Sequence, residues 1–277
     1  LDLTLSPSEL AALVCAFLWA LNGLLLRTQS ERVTPSAMNV IRCGVAGVLF
    51  LCVLPFDQAP LAGLLEVPWQ EWGFFLASFL AGLVVGDTLY LVALKEIGVS
   101  RTMALTGTYP LATLLCEMLL LQYPVRANVI LGSILVVAGV VFLSSRSRSA
   151  PGADKSQEVR LRFGVFIALA SALLWGFSSA LLKPAVAHMT LVQANALRMP
   201  LVALLLYLVR VWPSQQETLR HIPLRSFLVI AATGVLGMGV GASLFVYAIH
   251  HASATKVVTL TSSSPLFGMV MAVVFLK

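Results

Sequence analysis

Nine apolar stretches govern what this chain can fold into. They run over residues 10–26, 35–54, 72–94, 102–121 and 127–143, then 163–182, 190–211, 227–249 and 255–276. Each is long enough, or nearly so, for the 17–25 apolar residues that a bilayer crossing takes. In hydrocarbon a backbone amide finds no water, so only helices and closed barrels can span it. A barrel would need dyad alternation in segments of about ten residues, and the runs here are continuous instead. The composition agrees: 59% of the residues are hydrophobic and 11% charged, against about a quarter charged in a soluble domain. The sequence therefore predicts an all-α polytopic membrane bundle. Asp2 and Glu9 precede the first apolar run where a secretory leader would carry basic residues, so that run is expected to be the first span.

The formal net charge of +6 does not point to nucleic acid. The bases sit at helix ends and in short loops rather than on one soluble face, and the partner they imply is the lipid bilayer. Cys15, Cys43, Cys52 and Cys116 fall inside apolar runs without a CxxC pair and read as packing residues. His188, His221, His250 and His251 lie in loops or at helix ends without metal-ligand spacing. Neither a metal nor any other cofactor is expected.

The chain also repeats itself. A shift of 156 residues aligns Trp19 with Trp175, Arg27 with Lys183, Asn39 with Asn195 and Arg42 with Arg198, so both second helices carry N-x-x-R in one register. A shift of 155 then aligns Gly82 and Gly86 with Gly237 and Gly241, Arg101 with Lys256, and Pro110 with Pro265, and brings Tyr90 to Phe245. The first unit, residues 1–145, holds five helices. A basic, Ser-, Arg-, Pro- and Gly-rich linker follows over 146–161, and the second unit, 162–277, holds four. A tenth helix, the partner of 127–143, is expected to be missing. A unit with an odd number of spans reverses the chain's direction, so the second copy should lie inverted, a common transporter architecture.

Trp near the middle of helix one, Arg in helix two, a Gly-rich helix three and Pro in helix four, all repeated, resemble the drug/metabolite transporter superfamily of the EamA type. The resemblance implies ten helices, a cavity between the halves, and transport of amino acids, other metabolites or drugs in a bacterial plasma (inner) membrane. Two departures stand out. The Gly-Glu pair that often ends helix four is replaced in Leu121-Gln122-Tyr123, and nine spans are expected in these 277 residues in place of ten. The resemblance also implies cytoplasmic termini. The positive-inside rule opposes it: Lys and Arg concentrate after helices one, three, five and seven, which puts the long linker in the cytoplasm and the amino terminus outside.

Charge at bilayer centre costs about 2.5–3.5 kcal/mol on insertion scales, so four in-span charges are candidate functional groups: Arg42, Asp87, Glu117 and Arg198. Arg42 and Arg198 read either as a symmetric pair lining a pathway or as snorkelling anchors. Asp87 and Glu117 align with Ala242 and Ala272, so acids occur in one half only. They are candidate proton-coupling residues, because a carboxylate away from water can exchange a proton near neutral pH, or else partners in a fixed ion pair. Trp19 and Trp175 lie mid-span, with Asn22 and Ser178 on the same face. With Tyr90, Tyr109 and Tyr247 they complete the candidate contacts for a small-molecule substrate. The repeated Gly-x-x-x-Gly faces suggest close packing, between helices three and eight. Pro110 and Pro265 suggest kinks.

Other activities find less support. An intramembrane aspartyl protease needs two facing aspartates where only Asp87 lies in a span, and the HExxH of a metalloprotease is absent, so an enzyme is not expected. With no phosphate-binding loop, direct drive by ATP is excluded. Secondary transport by alternating access is the leading expectation and a non-transporting scaffold the alternative. Nothing in the sequence fixes the oligomeric state.

Overall fold

A computed structural model describes residues 5–57, 59, 61–124, 127–145, 155–213 and 219–275. The described chain forms twelve α-helical pieces: α1 Pro7–Gln29, α2 Pro35–Val53, α3 Trp69–Phe79, α4 Asp87–Thr106, α5 Tyr109–Leu119, α6 Ala127–Ser145, α7 Lys155–Ala185, α8 Leu191–Leu206, α9 Leu224–Thr233, α10 Ala242–His251, α11 Ala254–Thr261 and α12 Ser264–Phe275. Among the described residues six helices meet the length and hydropathy of a membrane span. No strand occurs among them.

Local chemistry sets where these helices begin. Ser6 and Glu9 form a capping box on α1, and Thr190 and Gln193 form another on α8. Each satisfies two amides that have no partner within the helix. Thr34 caps α2, with Pro35 in its first turn, where a missing N–H costs nothing.

Two features depart from nine simple spans. The third and eighth expected helices pass through π-helical stretches, Leu80–Gly86 and Gly234–Gly241, which join α3 to α4 and α9 to α10. Both stretches are glycine-rich and hold the aligned pairs Gly82/Gly86 and Gly237/Gly241. The fourth and ninth expected helices are not kinked at proline but broken just before it. α4 stops at Thr106 and α5 starts at Tyr109, while α11 stops at Thr261 and α12 starts at Ser264. Neither half-helix is long enough to span alone, so the span count by length falls below nine. A further interruption at Gly98, with φ +76°, separates the third span from the fourth within α4; glycine takes this left-handed backbone without a Cβ penalty.

Of the expected linker, 146–154 lie outside the described residues, and the remainder is the opening of α7. Its polar first turns continue the helix with support from the Arg162–Glu158 pair at 2.6 Å and Arg160–Glu96 at 3.0 Å.

Small residues pack the interior. Ala12, Ala16, Ala20, Ala37 and Ala46 are fully buried, while Val48, Phe56, Leu65, Phe166 and Leu173 point outward. That distribution suits lipid, where helices associate by close backbone approach rather than by hydrophobic burial. The two N-x-x-R helices, α2 and α8, lie against each other. A Cβ on Gly47 would come within 3.0 Å of Pro200.

The glycine faces do not pack as expected. Helices three and eight do not meet through them; each packs against the first helix of the other half. A Cβ on Gly82 would sit 2.3 Å from Ser178 Oγ, and one on Gly237 would sit 2.4 Å from Asn22 Nδ2. Gly86 similarly abuts Trp175, and Gly241 abuts Trp19. Exchanging the halves turns each contact into its counterpart.

Candidate functional site

Between the halves lies a cavity of about 130 Å3, the bulk volume of about four waters. Nine of the candidate site residues line it: Trp19, Asn22, Arg42, Asp87, Tyr90, Tyr109, Trp175, Ser178 and Arg198. Six helices supply them, α1, α2, α4, α5, α7 and α8, with Tyr109 at the first position of α5.

The charges are deeply buried. Arg42, Asp87 and Arg198 are each 5% exposed, so neither arginine snorkels to an interface. Arg42 Nη1 lies 3.7 Å from Asp87 Oδ2, an ion pair without a hydrogen bond. Neither Nε nor Nη1 of Arg42 has a hydrogen-bond partner. Arg198 Nε donates to Asn195 Oδ1 at 2.9 Å, so the N-x-x-R spacing places amide and guanidinium one turn apart on one face. On α2 the same spacing works differently: Asn39 Nδ2 donates to Leu83 O at 2.8 Å, a carbonyl in the π stretch. A π-helical turn releases carbonyls from the helix ladder, and side chains take them up. Ser171 donates to Gly86 O at 2.9 Å and Trp19 Nε1 to Gly237 O at 3.4 Å.

The two tryptophans have equivalent places and different partners. Trp175 Nε1 donates to Asp87 Oδ1 at 2.9 Å. Its counterpart Trp19 finds Ala242 where Asp87 would be, and its indole turns to a backbone carbonyl. The aromatic walls remain matched. Trp175 packs on Tyr90 with centroids 5.1 Å apart, and Trp19 packs on Phe245 at 5.1 Å. Tyr109 meets Trp175 edge-on, and its hydroxyl bonds that of Thr261. The breaks before the two prolines are thereby tied to each other. Asn22 Nδ2 donates to Leu18 O at 2.8 Å, leaving its Oδ1, buried at the cavity wall, without a partner.

Two expected site residues lie elsewhere. Glu117 is buried and accepts from the amides of Ala254 and Thr255, each at 3.1 Å, and from the Thr255 hydroxyl. It therefore caps α11, where a negative charge opposes the helix dipole favourably. It borders a separate pocket of about 580 Å3, together with Lys183 and Lys256. Lys183 donates to Ala252 O at 2.7 Å, and Lys256 pairs with Glu9 at 2.8 Å. Tyr247 stacks on His251, with centroids 4.4 Å apart, away from the cavity.

Met103 and Met238 also line the cavity. A methionine in an apolar run carries no signal that would have marked them. Thr261 aligns with Thr106, and both reach the site through the breaks. Among the described residues no group of three or more His, Cys, Asp or Glu side chains could hold a metal.

Comparison with known proteins gives the same picture. A profile described as the EamA-like transporter family matches residues 6–145 and again 162–277. An uncharacterized transporter of Archaeoglobus fulgidus is 26% identical over 272 residues, covering 97% of this chain and 89% of that protein. The uncharacterized transporter YyaM of Bacillus subtilis is 27% identical over 144 residues, covering 51% and 46%. A crystal structure at 18% identity superposes with a TM-score of 0.73, over 98% of this chain and 90% of that one.

Proposed function

The chain belongs to the EamA-like transporter family, and from that premise we propose that it carries an amino acid or related small metabolite across a bacterial plasma membrane by alternating access, coupled to protons through Asp87. The observation that carries this reading is the buried cavity between the halves. Three ionisable groups, Arg42, Asp87 and Arg198, stand there with guanidinium and amide atoms unpartnered. Burying charge and leaving donors unsatisfied is costly, and an arrangement that persists at such cost is a functional site by default in a membrane. Trp19, Trp175, Tyr90 and Tyr109 form an apolar sleeve for a solute's body, while Arg42, Arg198, Asn22 and Ser178 supply its polar contacts.

Support for the rocking motion comes from the paired contacts. Residues 1–145 and 162–277 form the two units of an inverted repeat, each burying its glycine face on the other's first helix. Inverted repeats that meet around a midplane site are a common transporter architecture, in which one unit rocks against the other. The single acid breaks that match and gives the proton one address.

Proteoliposome uptake of a panel of amino acids and small organic acids, with and without a pH gradient, tests the reading. Accumulation that follows the gradient and vanishes in Asp87→Asn is the expected result. No accumulation or exchange of any solute would favour the scaffold alternative. Gradient-driven accumulation unchanged in Asp87→Asn would remove the coupling role.

A further inference from the structure

The proposed carrier site has an electrostatic sign, and the sign restricts both its cargo and the sense of its coupling. Two guanidiniums and one carboxylate line the cavity. With Asp87 ionised the cavity therefore holds one uncompensated positive charge, and with Asp87 protonated it holds two. The groups facing Asp87 come from four elements. They are Arg42 and Cys43 on α2, Arg198 on α8, the Trp175 indole on α7 and Tyr90 on its own helix α4. None of these is a second acid.

Resting on the carrier reading above, we propose that the site takes a small organic carboxylate with net negative charge, and that this anion travels together with a proton held on Asp87. Arg42 is the hinge of the argument. Its Nη1 stands 3.7 Å from Asp87 Oδ2 without a hydrogen bond, and its Nε and Nη1 donors are otherwise unused. A carboxylate oxygen is a strong, charge-assisted acceptor for a guanidinium donor left free in this way. While Asp87 is ionised it holds Arg42 by charge and repels a second anion. Protonation neutralises Asp87 and releases Arg42 to the solute, while Trp175 Nε1 continues to orient Asp87 Oδ1. Linkage is reciprocal: if the proton favours the anion, the anion draws the proton in. Both partners therefore bind together, and the sense is co-transport. A cationic solute would compete with the proton for Asp87 and give exchange, yet two arginines beside that carboxylate oppose any cation.

Isothermal titration calorimetry on the purified full chain, in buffer pairs of different ionisation enthalpy, separates these cases. The probes are L-lactate and succinate as anions, lactamide as a neutral analogue, L-alanine as a zwitterion and choline as a cation. The anions are expected to bind with uptake of about one proton each at alkaline pH, more tightly in acidic than in alkaline buffer. Lactamide and choline should not bind. Asp87→Asn is expected to bind lactate about tenfold more tightly than the wild type at alkaline pH, a coupling of ordinary size. Its affinity should be flat with pH, without proton uptake. Arg42→Gln and Arg198→Gln should each lose most of the affinity.

Proton uptake in the wild type tests the idea even should a variant fail to fold. Anion binding without proton uptake, weaker lactate binding in a folded Asp87→Asn, or preference for alanine or choline would each overturn the proposal. Failure of the carrier reading looks different. If anions bind with their proton but proteoliposomes never accumulate them, the carrier falls and the anion site stands. Accumulation of zwitterions with no response to anions leaves the carrier standing and the anion site refuted.

Discussion

The contact between Gly82 and Ser178 allows the packing of the two halves to be tested by a graded series. A Cβ on Gly82 would lie 2.3 Å from Ser178 Oγ and 2.8 Å from Ser178 Cβ. Rotating the serine hydroxyl away relieves only the first clash and disturbs its contact with Ser78 Oγ at 3.2 Å. The second clash is fixed by the backbone, so the halves must separate. Overpacking of this kind costs about 1–3 kcal/mol, against a helix-propensity gain of at most about 1 kcal/mol for Gly→Ala. Gly82→Ala should thus destabilise by about 1–2 kcal/mol, a fall of several degrees in Tm for a chain of this size. Adding Ser178→Ala removes Oγ alone and should rescue part of the loss; adding Ser178→Gly removes both atoms and should recover nearly all the clash energy. Gly139→Ala is the control, since a Cβ there meets nothing within 4 Å, and it should be neutral or slightly stabilising. Thermal unfolding in detergent can be followed by a thiol-reactive dye in a Cys52→Ser, Cys116→Ser background, because the remaining Cys15 and Cys43 are free and buried. A Gly82→Ala protein as stable as the wild type would refute this packing. So would a coupling with Ser178→Gly below about 0.5 kcal/mol, the scatter of independent sites.

Three further outcomes are expected. Trp175→Phe keeps the ring wall but loses the indole bond to Asp87, a charge-assisted contact worth about 1.5–3 kcal/mol, so solute uptake should fall roughly tenfold or more; Trp19→Phe, which loses only a 3.4 Å bond to Gly237 O, should change uptake far less. Glu117→Gln weakens the charged cap on α11 and should lower stability by about 1–2 kcal/mol, while the response of uptake to pH remains, because Asp87 and not Glu117 stands in the cavity. Gln122 holds φ at 53°, where a side chain is strained and glycine is not, so Gln122→Gly should raise thermal stability by roughly 0.5–1 kcal/mol.

That last residue also shows what the sequence made legible. The resemblance marks this region as one where relatives often carry Gly-Glu, and the left-handed backbone at Gln122 gives a physical reason for glycine there. The duplicated pattern located Trp19, Trp175, Arg42 and Arg198 because equivalent positions in two copies stand out against an apolar background. It could not say what these residues touch. Self-similarity aligns helix three with helix eight, whereas packing brings helix three to helix six and helix eight to helix one, so the glycine faces were read against the wrong partner. Glu117 was indistinguishable from Asp87 by burial and type. Only the fold reveals that Asp87 faces the cavity between the halves, while Glu117 is engaged by the amides of Ala254 and Thr255. Tyr247 lies apart from the cavity for a similar reason, since helical period alone does not say which side of α10 faces inward. The π stretches left no mark beyond their glycines, because hydrophobic runs read the same whether a turn holds four residues or five.

The Tyr109–Thr261 bond fastens one broken rod to the other at their points of fracture. Opening either fracture strains this shared bond, and parting the two hydroxyls costs about 0.5–1.5 kcal/mol, a latch light enough for thermal motion to undo.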